Sequence, residues 1–249
     1  MAPDNLSPRY VEPILGIVFD LDGTLILSHH DFGHMRRELI RIAERYGVVP
    51  GHLSVSEPIA HLIDQAHTEL AGRSVPETTI FRMEAEIHKR IDDIEMEALP
   101  RTVPRPGATS LLGALQEKGY RLAVLTRSSE MFCRSALLKT GLDPYFAYLR
   151  TRSAPGPAKP SPEALRLLLH EMEVPPDRAL LVGDHLLDAE CGTRASIRFY
   201  GLLSEPPEES GMTVDRFQAV GAAAVARSLP ELGRMLGVLP AEPPSPGSR

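Results

Sequence analysis

From Ala108 to Met235 short apolar runs alternate with amphipathic stretches, and this alternation restricts the fold more than any other feature of the chain. "YRLAVLT" (120–126), "YFAYLR" (145–150), "RALLVGD" (178–184), "SIRFYGL" (196–202) and a stretch around "GAAAVA" (221–226) read as strands. "ATSLLGALQEKG", "SEMFCRSALLKTG", "SPEALRLLLHEME", "HLLDAECGTRA" and "SLPELGRML" read as the helices between and after them. The punctuation agrees. Gly119 stops one helix, while Ser161 and Pro162 supply the N-cap and first helical position of another. Strands alternating with helices imply a parallel sheet wound on both faces. One more strand belongs to that sheet: the apolar run Ile14–Phe19, which leads into "DLDGTL".

Between residues 28 and 99 the character changes. "FGHMRRELIRIAERYGV", "SEPIAHLIDQAHTELAG" and "PETTIFRMEAEIHKRIDDIEMEAL" are amphipathic at helical spacing, and none of them contains a strand pattern. "PRTVPRPG" then breaks the pattern and reads as a return linker. The expected organisation is an α/β core of residues 1–27 and 101–249, interrupted by an all-helical cap of residues 28–100. In open α/β sheets, ligands bind beyond the carboxyl ends of the strands. An insertion rooted there is placed to act as a lid, hinged near Leu25–His30 and Leu99–Pro106.

Bulk properties narrow the function. With 249 residues, 43% hydrophobic and 24% charged, the chain has material for a sizeable core. A net charge of −6 argues against nucleic acid as a partner. No apolar run approaches the roughly 18 residues of a membrane span, and "MAPDNLSPRY" has no signal pattern. The cysteines, Cys133 and Cys191, lack CxxC or metal-ligand neighbours and read as core residues in a reducing cytoplasm. We expect a cytoplasmic monomer or homodimer, not at a membrane, with polar, Pro-rich ends such as "AEPPSPGSR" forming frayed tails.

The first strand delivers two carboxylates, Asp20 and Asp22, two residues apart. Like charges that close raise one another's pKa, and burial adds to the cost, so a bound cation is the usual compensation. Other strand ends contribute too: Thr126 ends "LAVLT", and Asp184 ends "LLVGD" with Asp188 one turn later. Lys159 lies in a loop before a helix N-terminus. Singly, each has an ordinary reading. Asp-x-Asp-Gly occurs in calcium loops, Asp184 could cap a helix, Asp188 could face solvent, and Thr126 and Lys159 could be plain surface groups. Jointly they suit a phosphate ester. A carboxylate can attack phosphorus, Mg²⁺ takes oxygen ligands, and a hydroxyl with a lysine can hold the oxygens on which charge develops. Gly23 permits the tight turn by which the chain leaves for the insertion.

The motifs "FDLDGTL", "VLTRSS", "KPSPEAL" and "LVGDHLLDAECG", in this order, resemble those of the haloacid dehalogenase-like superfamily, spanning nearly the whole chain outside the insertion. A helical insertion after the first motif is similar to the phosphoglycolate phosphatase and β-phosphoglucomutase branch. The resemblance implies a Rossmann-like core and Mg²⁺ as cofactor. It implies Asp20 as nucleophile and metal ligand, and Asp22 as general acid, then base, with its backbone carbonyl on the metal. Thr126 would hydrogen-bond the phosphoryl group, Lys159 would neutralise Asp20 and the phosphate, Asp184 would bind Mg²⁺ directly, and Asp188 would bind it through water or support the residues that do. Backbone amides of Leu21, Asp22 and Arg127 would help hold phosphate. Two positions depart from the branch: Arg127 replaces the common Asn, and His185 the common Ser. An acid at Asp22 speaks against C–halogen cleavage.

The implied reaction is hydrolysis of a small phosphorylated metabolite, phosphoglycolate-like, through an aspartyl-phosphate. A phosphomutase and a low-turnover binding protein on the same fold are the alternatives. His29 and His30, near the hinge, are candidates to face the substrate, and Arg36 and Arg37, or Arg127, to meet a second anionic group on it. The seven histidines from His29 to His88 come without cysteine or an HExxH pattern, which leaves little basis for a zinc site.

Overall fold

A computed structural model describes residues 13–203 and 211–241. In chain order the elements are β1 (Gly16–Phe19), β2 (Ile26–Leu27), α1 (Phe32–Arg45), α2 (Ile59–Gly72), α3 (Glu77–Ala98), β3 (Val103–Pro104), α4 (Ala108–Glu117), β4 (Arg121–Leu125), α5 (Glu130–Thr140), β5 (Tyr148–Arg150), α6 (Pro162–Glu171), β6 (Ala179–Gly183), α7 (Leu186–Ala195), β7 (Arg198–Leu202), α8 (Val214–Ala219), β8 (Ala224–Ala226) and α9 (Leu229–Met235). The chain divides into two compact units. One holds the residues up to Leu27, Val103–Glu130 and those from Leu137 onward; the other holds Ser28–Thr102 and Met131–Ala136.

The first unit is built on a six-stranded sheet of order β5-β4-β1-β6-β7-β8, with every pairing parallel. β1 is central, and all four of its residues are buried, as its unbroken apolar sequence demands. The chain steps from β1 outward to β4 and β5, then crosses back to the other side of β1 for β6. The strand order therefore reverses around β1, the kind of place where open sheets bind ligands. One core cluster joins Val18, Leu125 and Leu181 to Leu165, Leu168, Leu169, Phe199 and Phe217. Cys191 is a buried thiol of this unit, as Cys133 is of the other, and burial pushes the Cys191 thiol up to about 11.

The structure departs from the sequence reading in several places, α8 among them, a helix the pattern did not mark. The segment read as a linker carries β3, which pairs antiparallel with β2 through Ile26–Pro104 and Leu27–Val103. Two residues are too few to show alternation, and a proline hides a strand. His185, and not Asp184, caps α7, its Nδ1 accepting from the Leu187 amide at 3.2 Å, so the ordinary capping reading of Asp184 falls away. The tails and residues 204–210 lie outside the described residues.

The second unit packs α1, α2 and α3 around Leu39, Ile42, Leu62, Leu70, Met83, Ile87 and Ile91. Asp31 caps α1, accepting from the His34 amide at 2.7 Å. α2 starts at Ile59, later than the pattern suggested, with Pro58 at its N-cap. Ion pairs tie α1 and α2 to α3: Arg90 with Glu38 at 3.1 Å, and His67 Nδ1 with Glu84 at 2.7 Å. Among the described residues no helix is long and apolar enough to cross a membrane.

Candidate active site

Thr126, Asp20 and Asp184 immediately follow β4, β1 and β6, three strands that lie side by side. The register sets Phe19 level with Val124 and Val182, so the three polar groups leave the sheet within one residue of each other. Lys159, from the loop between β5 and α6, sits between carboxylates. Its Nζ donates to Oδ1 of Asp20 and, at 2.6 Å, to Oδ1 of Asp188. Asp188 is only 1% exposed, so its place on α7 is not a surface one. Its second oxygen accepts from the His185 amide at 3.1 Å.

Carboxylate oxygens of Asp20, Asp184 and Asp188 all lie within 4.8 Å of one another. The electrostatics follow. Burial, then Asp188 and Asp184, drive the Asp20 carboxyl well above its usual range against the pull of Lys159. Burial and Asp188 push Asp184 up to about 7. Burial alone would lower the Lys159 pKa, but Asp188 and Asp20 outweigh it and hold the ammonium charged. Three buried carboxylates thus share one buried ammonium. The remaining negative charge, offered through oxygen alone, suits a hard divalent cation such as Mg²⁺ rather than zinc or copper. The Asp22 carboxylate stands outside this set; the ligand atom expected of that residue is its backbone carbonyl.

The surrounding chain explains the glycines. Gly23 has φ +80°, and a Cβ there would lie 2.3 Å from Oδ2 of Asp184. At Gly183 a Cβ would lie 2.3 Å from Cγ of Asp188. Both glycines let a carboxylate fold against backbone. The Gly23 turn is closed by amide bonds from Gly23 to Ile26 O and from Leu25 and Ile26 to Leu21 O. The amide of Leu21 is not a donor in that turn. Thr126 accepts from the Ser128 amide at 3.1 Å, so its hydroxyl proton points elsewhere.

Three positioning residues escaped the sequence reading. Thr24 donates from Oγ1 to Oδ1 of Asp184 at 2.8 Å. Arg105 is 3% exposed and donates to the carbonyls of Gly23 and Leu203, fastening the turn that follows Asp22. Arg150 donates to the carbonyls of Pro155 at 2.6 Å and Pro157 at 3.4 Å, gathering the loop that carries Lys159. Each joins residues through a contact that no local pattern records.

The substrate-binding candidates divide between the units. Arg127 follows Thr126 in the sheet unit. His29, His30 and Arg36 belong to the helical unit. His29 is exposed, with φ +55°. The His30 ring lies 4.6 Å from that of Phe132 and 5.8 Å from that of Phe32. Arg36 is half-buried on α1.

Comparison with known proteins agrees with this geometry. A family model described as haloacid dehalogenase-like hydrolase matches residues 14–196. A phosphoglycolate phosphatase of Rhodospirillum rubrum is 28% identical over 93% of this chain and 92% of its own length. The pyrophosphatase PpaX of Bacillus pumilus is 27% identical over 75% of this chain and 82% of its own. Among solved structures, a hydrolase from Pseudomonas syringae has a TM-score of 0.63 at 19% identity, covering 91% of this chain and 99% of that one. A family hydrolase from Deinococcus radiodurans, with phosphate and sodium bound, has a TM-score of 0.60 at 22% identity, covering 92% and 99%. The chain belongs to the haloacid dehalogenase-like hydrolase family.

Proposed function

We propose that the protein is a Mg²⁺-dependent phosphatase that hydrolyses a small phosphorylated metabolite, phosphoglycolate-like, through an aspartyl-phosphate. The observation that carries the reading is Lys159, buried between Asp20 and Asp188 with Asp184 alongside. A carboxylate at the end of a central strand, neutralised by a fixed ammonium, is placed to accept a phosphoryl group. Asp20 attacks phosphorus, and the bond from phosphorus to the leaving oxygen breaks. Asp22 gives that oxygen its proton. Asp22 then takes a proton from water as the water attacks the phosphoenzyme, releasing inorganic phosphate and restoring Asp20. Lys159, the Thr126 hydroxyl and the Leu21 and Arg127 amides hold the phosphoryl oxygens as charge spreads over them. Asp20, Asp184 and Asp188, with the Asp22 carbonyl, would hold Mg²⁺. When bound, the ion supplies charge stabilisation to the phosphoryl oxygens.

The Rhodospirillum rubrum relative aligns over 93% of this chain, and its name favours hydrolysis over the phosphomutase reading. Two cysteines buried as thiols suit a reducing cytoplasm. Side chains of the helical unit, His29, His30 and Arg36 among them, are assigned to substrate choice. The test is hydrolysis of p-nitrophenyl phosphate and a panel including 2-phosphoglycolate, with Mg²⁺ or with EDTA. Mg²⁺-dependent turnover is expected, and Asp20→Asn should lose at least about a thousandfold in kcat while remaining folded. Undiminished activity in EDTA removes the metal from the reading, and a near-normal Asp20→Asn removes the covalent intermediate.

A further inference from the structure

The loops after β4 and β5 are laced together. The Thr126 amide donates to the Arg150 carbonyl at 2.9 Å, and the Arg152 amide to the Ser128 carbonyl at 3.0 Å. Nη1 of Arg152 then donates to the carbonyl of Arg127 at 2.7 Å. This lacing sets two arginines next to each other, one of them directly after Thr126. The arrangement is costly for Arg127. It is half-buried, and among the described residues its guanidinium makes no hydrogen bond and no ion pair. Burial and the neighbouring charge of Arg152 both depress its pKa, and only the more diffuse attraction of Asp188 and Asp20 opposes them. A guanidinium with five donors, held partly out of water beside a second cation, is incomplete without an anion.

We infer that Arg127, held in place by Arg152, receives a second anionic group of the substrate, a carboxylate or a further phosphate, beside the site of phosphoryl transfer. This rests on the phosphatase reading and sharpens it: the preferred esters are those carrying another anion near the ester oxygen. The phosphoryl group already has Thr126, Lys159 and backbone amides in that reading. Arg127 stands one residue beyond Thr126, near enough to Asp20 and Asp188 to feel their charge. Its planar fork matches either anion through paired hydrogen bonds. Arg152 is a positioning residue, acting through the Arg127 carbonyl and through its charge.

The test measures binding, so it does not need turnover. Isothermal calorimetry in excess Mg²⁺ compares phosphonoacetate, methylenediphosphonate and ethylphosphonate on the full chain. Wild type should bind one of the first two about 10- to 100-fold tighter than ethylphosphonate, the span expected for hydrogen bonds to charged groups. The arm that gains identifies the second anion as carboxylate or phosphate. Arg127→Gln should bring that ratio close to one, Arg127→Lys should keep part of it, and Arg152→Gln should reduce it less. A ratio that survives Arg127→Gln overturns the inference, as does a wild type without preference. Equal weakening of all three ligands overturns it too, because Arg127 would then serve the transferred phosphoryl group. If Arg127→Gln fails to fold, the Arg127→Lys ratio decides: an undiminished value overturns the inference. Wild type that binds with this preference but hydrolyses no ester upholds the anion site and removes the phosphatase reading.

Discussion

Thr24 and Asp184, 160 residues apart in sequence, are joined by a 2.8 Å hydrogen bond from the threonine hydroxyl to Oδ1 of the aspartate. Both side chains are buried. The bond lowers the Asp184 pKa against the burial that raises it, and it fixes which way that carboxylate faces. Partners of this kind are worth about 10- to 100-fold in metal affinity or activity. Thr24→Val keeps the shape and removes the donor, so the Mg²⁺ concentration for half-maximal activity should rise by about tenfold or more. Thr24→Ser, which keeps the hydroxyl, should recover most of it. Identical Mg²⁺ titrations for Thr24→Val and wild type would show that the bond does not orient the ligand.

Lys159 and Thr126 should differ in what they contribute. Lys159→Ala leaves Asp20 and Asp188 buried without their shared cation, and removing one member of a buried ion pair typically costs about 3–5 kcal/mol. Thr126→Ala removes one hydroxyl, and an oxyanion donor is worth about 2.7–4 kcal/mol in rate at most. Lys159 neutralises Asp20 as well as the phosphoryl oxygens in the proposed mechanism, whereas Thr126 makes one hydrogen bond, so the expected order in single-turnover assays is Lys159→Ala slower than Thr126→Ala. Only Lys159→Ala should also lower the thermal midpoint markedly. The reverse order would mean that charge neutralisation has been assigned to the wrong residue.

The parts of this molecule that repeat a period were legible in its sequence. The buried β1 run, the alternation after Ala108 and the helical spacing of Leu39, Ile42, Leu62 and Leu70 each announce a burial pattern. Asp184 and Lys159 were legible because each sits just ahead of a helix that pattern marks, and Asp20 because it ends the buried apolar run of β1. Thr24, Arg105 and Arg150 were not. Their roles come from single contacts with Asp184, Gly23 and Pro155, and no spacing rule marks such a contact. The β2–β3 ribbon was hidden for a related reason: its pairing joins residues on either side of a helical insertion. Gly183 was visible as a glycine, but its purpose needed the position of the Asp188 carboxylate.

The helical unit carries a pH-dependent contact. His67 Nδ1 lies 2.7 Å from Glu84 Oε1, linking α2 to α3. The bond to Glu84 raises the His67 pKa, outweighing partial burial. A histidine whose pKa is raised on folding stabilises the folded state fully below the unfolded value of about 6.5, and that stability fades as pH rises through the folded pKa. His67→Gln should thus cost most thermal stability near about pH 6 and progressively less toward about pH 8.5. His67 is 37% exposed, so the difference should be modest and should shrink in high salt. A gap that widens with rising pH would show that the imidazole is bound as a neutral group.

Arg150 makes the last prediction, because its effect should reach the site only through backbone. Its guanidinium is buried at the end of β5 and spans the Pro155 and Pro157 carbonyls. Those carbonyls belong to the loop that places Lys159, four residues beyond the first and two beyond the second. Both bonds leave one terminal nitrogen, Nη2, so the donor must stand at a single point, and a lysine ammonium sits on a differently shaped, more flexible stem without the guanidinium plane that holds it there. Arg150→Lys should therefore hold the loop poorly, and Arg150→Met should leave both carbonyls without this donor. Hydrogen bonds to a buried charged group are worth about 1.5–3 kcal/mol, which sets the expected loss of stability for Arg150→Met. Amide hydrogen exchange over residues 153–161 should accelerate in both variants, while exchange in β1 and β6 changes little. Turnover should fall with it, since a Lys159 ammonium that wanders from Asp20 and Asp188 no longer offsets their charge. If exchange in the loop stays at the wild-type rate while activity drops, Arg150 acts on the site by some route other than the loop.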